Sequence, residues 1–405
     1  MEYLLWIFAY ISLFVTLFWL QTLFIPINLH KQHGSSLPSV SILIPAYNEA
    51  ETIGRTLDSL AALHYPKKKL QILVIDDGSI DTTSAVARTY PGVAVLRQCN
   101  AGKAAALNHG LRFATGELVA CLDADSSVHP DSLNHLVSHF SDRSIGAVIC
   151  AIHARETHTL LEKLQRFEYI FAAYIRKLMA RIHTLVITPG VLSTYRTSVL
   201  REIGGFDADR RNLTEDFEIA LRLTERGYRI FIETQSIGYT AVPSTLYSHY
   251  RQRVRWYRGF IFNILKYRHM LFNSKYGMLG LFSLPLGILS VFMLLTTFSF
   301  IGYKFLHKIS GFFTDLSVLR TDYLQLFTFP DIKLFLLNLD IRLWFPVLLI
   351  LTLITYLFIL AYREAGERWK YPWVYPLYLI YYPYLHVYYW TVALYKELTR
   401  GEPRW

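Results

Sequence analysis

Cysteine is scarce: Cys99, Cys121 and Cys150 are the only three in 405 residues. An odd number without metal-type spacing argues against a disulfide framework and fits a reducing compartment. The Gly-x4-Gly-Lys-Ser/Thr spacing of a P-loop is missing, and no internal repeat or low-complexity tract is visible. Acidic residues are in the minority, 31 against 41 lysines and arginines, which leaves a formal charge of +10. By itself that surplus admits nucleic acid or anionic lipid as a partner. The apolar content decides for lipid and against nucleic acid.

Hydrophobic residues make up 53% of the chain and aromatics 15%, more than an ordinary soluble domain carries. The excess lies at the ends, in residues 4–25, 278–301, 343–361 and 373–394. Each run approaches the roughly 20 residues that cross a bilayer as a helix. The first lacks the basic n-region and small-residue cleavage pattern of a secretory signal, so it is expected to be a retained anchor. Pro376 and Pro383 interrupt the fourth. The expected organisation is an anchor over 1–27, a soluble domain over 28–256, an amphipathic interfacial helix over 257–276, and a C-terminal membrane region over 277–405. That last region is expected to hold about three spans and an interfacial segment over 323–341. Basic segments of such a chain are held at anionic headgroups on the cytoplasmic side.

Within the soluble part, VSILI from Val40 and QILVI from Gln71 are β-branched runs, with Ile53, Leu57 and Leu60 on one face of a helix between them. The alternation continues through VAVL from Val93, a helix from Lys103, ELVACL from Glu117 and GAVICA from Gly146. Such a sequence predicts an α/β domain, a mostly parallel sheet with helices on both faces. Ligands of these sheets bind beyond the carboxyl ends of the strands. The polar clusters fall there: Pro45, Tyr47 and Glu49 after the first strand, Asp76 and Asp77 after the second, Asp123 and Asp125 after the fourth.

Each cluster has a bland explanation and a chemical one. Asp123 and Asp125 fit a solvated turn, or a pair of hard oxygen ligands for Mg²⁺ or Mn²⁺ bridged to phosphate. Asp76 and Asp77 before Gly78 fit a turn, or acceptors for the N–H groups of a base or sugar, with Tyr47 beside them for stacking. Lys103 opens a helix whose free N–H groups would attract phosphate. Thr214, Glu215 and Asp216 fit an N-cap with acids in the first turn; Asp216 facing the cleft would be a general base. In YRQRVRWYRG (250–259), Gln252, Arg255 and Trp256 share one helical face. Arg251, Arg253 and Arg258 are left to helix packing or lipid phosphates.

Taken together, PAYNEAETI (45–53), DDGSIDTT (76–83), NAGKAAALNHGL (100–111), LDADS (122–126), TED (214–216) and QRVRW (252–256) resemble the family-2 glycosyltransferases, in particular the membrane-embedded processive synthases of cellulose, chitin, hyaluronan and poly-N-acetylglucosamine. PGVLSTYRTSVLREIGGFD (189–207) is similar to the acceptor-side segment of that family, and the resemblance covers about residues 38–260. It implies a GT-A nucleotide-diphosphosugar transferase domain embedded in transmembrane helices. It also implies that Pro45, Tyr47, Glu49 and Asp76 or Asp77 hold the nucleotide of a UDP-sugar, with Lys103 near the diphosphate. Asp123 and Asp125 would position the metal and donor sugar. Glu215, Asp216, Gln252, Arg255 and Trp256 would carry out transfer, with Asp216 deprotonating the acceptor hydroxyl and Trp256 stacking on the acceptor sugar. Many relatives have a second aspartate two residues after Asp216, where this chain has Glu218. The implied enzyme inverts a UDP-sugar such as UDP-N-acetylglucosamine into a β-linked polysaccharide and passes it across the plasma membrane, the catalytic domain being cytoplasmic. Transfer of one sugar to a polyprenyl phosphate or glycolipid is the alternative, and a small accessory membrane subunit is compatible with either.

Overall fold

The computed structural model describes residues 2–26, 37–319 and 340–399. Its strands are β1 (Val40–Ala46), β2 (Leu70–Asp76), β3 (Val93–Arg97), β4 (Leu118–Leu122), β5 (Ser127–Val128), β6 (Ile145–Ala154), β7 (Val191–Arg196) and β8 (Arg229–Thr240). Its helices are α1 (Glu2–Gln21), α2 (Ile53–Ala61), α3 (Thr83–Arg88), α4 (Lys103–Phe113), α5 (Ser132–Val137), α6 (Leu160–Arg181), α7 (Thr197–Glu202), α8 (Glu215–Glu225), α9 (Leu246–Lys266), α10 (Leu284–Leu319), α11 (Ile341–Glu364) and α12 (Val374–Leu398).

The strands form one sheet in the order β3-β2-β1-β4-β7-β6-β8-β5. Successive side chains of a strand point to opposite faces, and both faces here are covered. Leu43, Leu73 and Ile75 pack on one side with Leu107 of α4 and Leu221 of α8; Ile42, Ile44 and Val74 pack on the other with Leu57 of α2 and Leu136 of α5. This double burial is why β1 and β2 carry near-continuous apolar runs (Ile42–Ile44 and Ile72–Ile75) rather than alternating.

β1, β2, β3 and β4 are mutually parallel, as the sequence predicts. The far half is mixed: β7 is antiparallel to both β4 and β6, while β6 and β8 run parallel. The reversal has a consequence for chemistry. Because β7 runs against β4, its first residues stand at the carboxyl end of β4, and Leu122 pairs with Val191.

Three helical stretches among the described residues are long and apolar enough to cross a bilayer: Tyr3–Phe24, Leu279–Ser317 and Ile341–Glu364. α12 continues through both Pro376 and Pro383. Pro376 sits in the first turn, where a missing N–H costs no helical hydrogen bond. α12 buries Tyr375, Tyr382, Tyr389 and Trp390 on one side and exposes Tyr381, Tyr384, Tyr388 and Tyr395, so the tyrosine-rich run is an inter-helix surface on one side only. The expected interfacial segment 323–341 lies outside the described residues apart from its last two positions, and so do residues 27–36 and the tail from 400. The expected interfacial helix 257–276 is instead the second half of α9 followed by two short 3-10 turns.

α6 joins the two parts of the molecule. Its capping box is complete: Thr159 accepts from the Glu162 amide, and the Glu162 carboxylate accepts from the Thr159 amide. One side of α6 meets the sheet; another stacks Phe171 on Phe358 of α11, with ring centroids 4.0 Å apart.

Candidate active site

The carboxyl ends of β4, β6 and β8, the start of β7, the N-terminus of α8 and one face of α9 converge. Between them and the helices α6 and α10 lies a cavity of about 570 Å³. Lys103, Asp123, Asp125, Glu215, Asp216, Gln252, Arg255 and Trp256 all line it. Side chains from distant parts of the chain, Lys103 at one extreme and Trp390 at the other, therefore share one space.

Asp123 follows β4, and its amide donates to the Gly190 carbonyl at 2.6 Å. A Cβ at position 190 would overlap both carboxylate oxygens of Asp123; only glycine admits this approach. The Lys103 ammonium bridges Asp123 at 2.6 Å and Glu215 at 2.9 Å. Burial works against the Lys103 charge, but the two carboxylates hold its pKa well above the ordinary range. Burial pushes the Asp123 carboxyl up, and the neighbouring Asp125 adds to this. The sequence suggested Lys103 for a diphosphate; here the same ammonium also ties the end of β4 to the start of α8.

Glu215 and Asp216 open α8. Thr214 occupies the N-cap position without capping, because its hydroxyl accepts instead from Asn263 of α9 at 3.1 Å. Gly259 allows that contact, since a Cβ there would overlap the Thr214 side chain. Asp216 uses one oxygen to accept from the Phe217 amide at 2.9 Å, and its carbonyl receives Thr188. Burial first, then the charge of Glu215, pushes the Asp216 carboxyl up to about 6. Glu215 moves the other way, because Lys103 and Arg255 outweigh its own burial. Two adjacent carboxyls are thus driven apart in acidity by their surroundings.

On α9, Gln252, Arg255 and Trp256 face the cavity together, as the spacing predicts. Arg255 reaches the Leu213 carbonyl at 3.3 Å. Arg253 lines the cavity too, but its guanidinium is engaged by a neighbouring helix. It forms a two-pronged pair with Glu168 of α6 at 2.8 and 2.7 Å and lies 4.2 Å from the centre of the Trp256 ring. Tyr382 of α12 donates to Glu168 at 2.6 Å, and His249 accepts from Arg253 Nε at 3.1 Å. Burial, then the charge of Arg253, lowers the His249 pKa to about 4, which leaves Nε2 free to accept. Helix packing, one of the two roles expected for Arg253 and Arg258, is what they do: Arg258 pairs with Glu397 of α12.

The remaining sequence candidates lie beside this cavity. Tyr47 is half exposed at the end of β1, with Pro45 inside the strand. Glu49 accepts from Thr52, and burial raises its pKa, with Asp125 and Asp123 adding to the rise. Asp76 and Asp77 are buried with hydrogen bonds on every carboxylate oxygen. Asp76 accepts from the Ser79 amide at 2.7 Å and from Ser84. Asp77 accepts from the amides of Ala101 at 2.9 Å and Gly102 at 2.8 Å. Asp77 therefore also fixes the loop that delivers Lys103. Glu168, Tyr169 and Arg176, which line the cavity from α6, escaped the sequence reading; the Thr159-x-x-Glu162 capping signal before an amphipathic run is what would have found their helix.

Asp123 and Asp125 suit a hard divalent cation. Among the described residues no group of three or more His, Cys, Asp or Glu side chains is arranged to hold a metal. Two carboxylates leave the other positions of such a cation to phosphate and water, a donor set that suits Mg²⁺.

Residues 41–204 match the model for Glycosyl transferase family 2. The poly-beta-1,6-N-acetyl-D-glucosamine synthase of Staphylococcus aureus (strain COL) is 34% identical over 229 residues, 55% of each chain. That of Staphylococcus epidermidis is 32% identical over 235 residues, 56% of each. The matched stretch spans about half the length of these curated relatives. Among solved structures, the mannosyltransferase PcManGT from Pyrobaculum calidifontis, in complex with GDP-Man and Mn²⁺, superposes with a TM-score of 0.52 at 27% identity, over 64% of this chain and 76% of that one. The sheet and its covering helices are those of a GT-A glycosyltransferase.

Proposed function

We propose, from a chain that carries a family-2 glycosyltransferase domain, that it is an inverting, processive synthase which builds a β-linked polysaccharide from a UDP-sugar, UDP-N-acetylglucosamine first among them. The observation that carries the reading is that Asp216, with its raised pKa, faces the same cavity as Asp123, Asp125 and Trp256. A base, a donor site and a stacking ring meet in one space.

In the reaction Asp216 takes the proton of the acceptor hydroxyl as its oxygen attacks the anomeric carbon. The bond from that carbon to the diphosphate breaks, UDP leaves with the electron pair, and an α-linked donor becomes a β-glycoside. Asp123 and Asp125 would hold a divalent cation, which supplies positive charge beside the departing diphosphate. Arg255 adds a fixed cation there, Trp256 supports the C–H face of the acceptor sugar, and Tyr47 stacks on the uracil. The same reading puts the catalytic domain on the cytoplasmic side of the plasma membrane, with several spans, a route for the product between the helices, and room for a small accessory subunit. The similarity to poly-N-acetylglucosamine synthases supports the choice of sugar.

Incubating the full chain with a panel of radiolabelled UDP-sugars and Mn²⁺ or Mg²⁺, then measuring UDP release and product size, tests this. A polymer is expected; a lipid carrying one sugar excludes the synthase, and no UDP release with any donor excludes glycosyl transfer. Gly190→Ala probes the donor edge. The new methyl group must displace Asp123, and a shift of about 1 Å at a reacting centre costs on the order of a hundredfold in rate. Turnover within threefold of wild type would show that Asp123 need not sit where it does.

A further inference from the structure

Two buried polar atoms and one half-buried guanidinium that line this cavity have no hydrogen bond among the described residues, and they come from three different helical segments. Arg176 of α6 lines the cavity without a hydrogen bond or ion pair. The hydroxyl of Ser283 and the side-chain carbonyl of Gln252, both cavity residues, are buried and unpartnered. Ser283 closes a π-helical turn, Leu279–Ser283, directly before α10. Such turns recur where a helix has been reshaped for function.

Leaving buried polar groups unpaired is costly, and two of them in one cavity with an unbonded guanidinium point to a ligand that satisfies all three. Its chemistry can be read from the neighbours. Burial depresses the Arg176 pKa, and Tyr169, Asp216 and Glu168 oppose that shift through their charge; a further full anion would crowd these acids. Phe260, Leu284, Gly287 and Trp390 wall the same cavity. An apolar flank with a few convergent donors and acceptors suits a pyranose, whose C–H face packs while its hydroxyl and amide oxygens are held. On α6 the cavity residues Glu168, Tyr169, Ala172 and Arg176 fall on one face. At 1.5 Å per residue Arg176 stands about 12 Å along the axis from Glu168, one sugar length or more beyond the pair that braces Trp256.

We propose that Arg176 and Ser283 form a second acceptor subsite, which takes the sugar unit behind the one that presents the attacking hydroxyl. This rests on the polymerising reading above. The subsite makes the enzyme read acceptor length: an oligosaccharide fills it and a single sugar cannot.

The test compares kcat/KM for N-acetylglucosamine with that for its β-1,6-linked trisaccharide, using the full chain and UDP-N-acetylglucosamine, with UDP affinity measured by titration as a check on the fold. Wild type is expected to prefer the trisaccharide by about tenfold or more, the value of hydrogen bonds to a charged group. Arg176→Gln and the milder Ser283→Ala should each reduce that preference at least threefold through KM for the trisaccharide. Retention of the full preference by Ser283→Ala and Arg176→Gln overturns the subsite, as does a wild type that uses both acceptors equally. A wild type that binds no UDP and transfers to neither acceptor instead defeats the glycosyltransfer reading, and the subsite falls with it.

Discussion

Asp216→Asn is expected to abolish transfer while leaving UDP affinity within twofold of wild type. The asparagine keeps the shape and can still accept from the Phe217 amide, but it cannot take a proton. General-base catalysis is worth about 10² to 10⁴ in rate, so kcat should fall by at least about a hundredfold. The pH profile gives a second signature. Transfer needs the ionised carboxylate, and burial and Glu215 set its pKa at about 6. Wild-type kcat should therefore fall as pH drops through about 6, and the residual activity of the variant should lack this limb. The same shift bears on stability. A carboxyl whose folded pKa lies above its ordinary 3.8 favours folding below that value and loses this advantage as pH rises through about 6. At neutral pH the ionised group opposes folding, so Asp216→Asn should melt at or above the wild-type temperature. An inactive variant that also melts early would mean that Asp216 acts through the fold; an active one would end the base assignment.

Arg253→Ala is the second large effect. From the sequence alone, Arg255 would be expected to matter for turnover far more than Arg253. The three-dimensional arrangement changes that contrast. Arg253 is 2% exposed and satisfies Glu168, which Tyr382 and the α12 helix hold from the far side. Removing one partner of a buried ion pair strands the other and costs about 3–5 kcal/mol. The Arg253 guanidinium also lies against the Trp256 ring, so the ring loses that support as well. Arg253→Ala should lower the melting temperature strongly and turnover with it, whereas Arg255→Ala should lower turnover with little change in melting. The double replacement Glu168→Gln with Arg253→Met, which removes both charges, should recover much of the stability that either single change loses. Melting of Arg253→Ala at the wild-type temperature would show that the pair contributes nothing and that the arginine belongs to the membrane surface.

How the site came to be legible follows from which interactions are local. The apolar runs of β1 and β2, the polar residues directly after them and the i, i+3, i+4 spacing of Gln252, Arg255 and Trp256 are set by periods of two and 3.6, which a linear string records. So is Asp216 at the start of α8. The sequence therefore determined the α/β class, the carboxyl-end location of the chemistry and eight residues that do share one cavity. It could not assign α6, because two of the residues that matter there, Glu168 and Arg176, look like ordinary surface charges until α9, α10 and α12 close over them. It could not show that Gly190 is shaped by Asp123, since only the reversed direction of β7 brings the two together. Nor could it separate Arg253 from Arg255, neighbours in the string that differ by two residues' rotation about one axis. Local periodicity fixes which faces exist; what each face meets is decided by long-range packing, where burial turns one arginine into a structural ion pair and leaves the other beside a carboxylate whose pKa is raised to about 6.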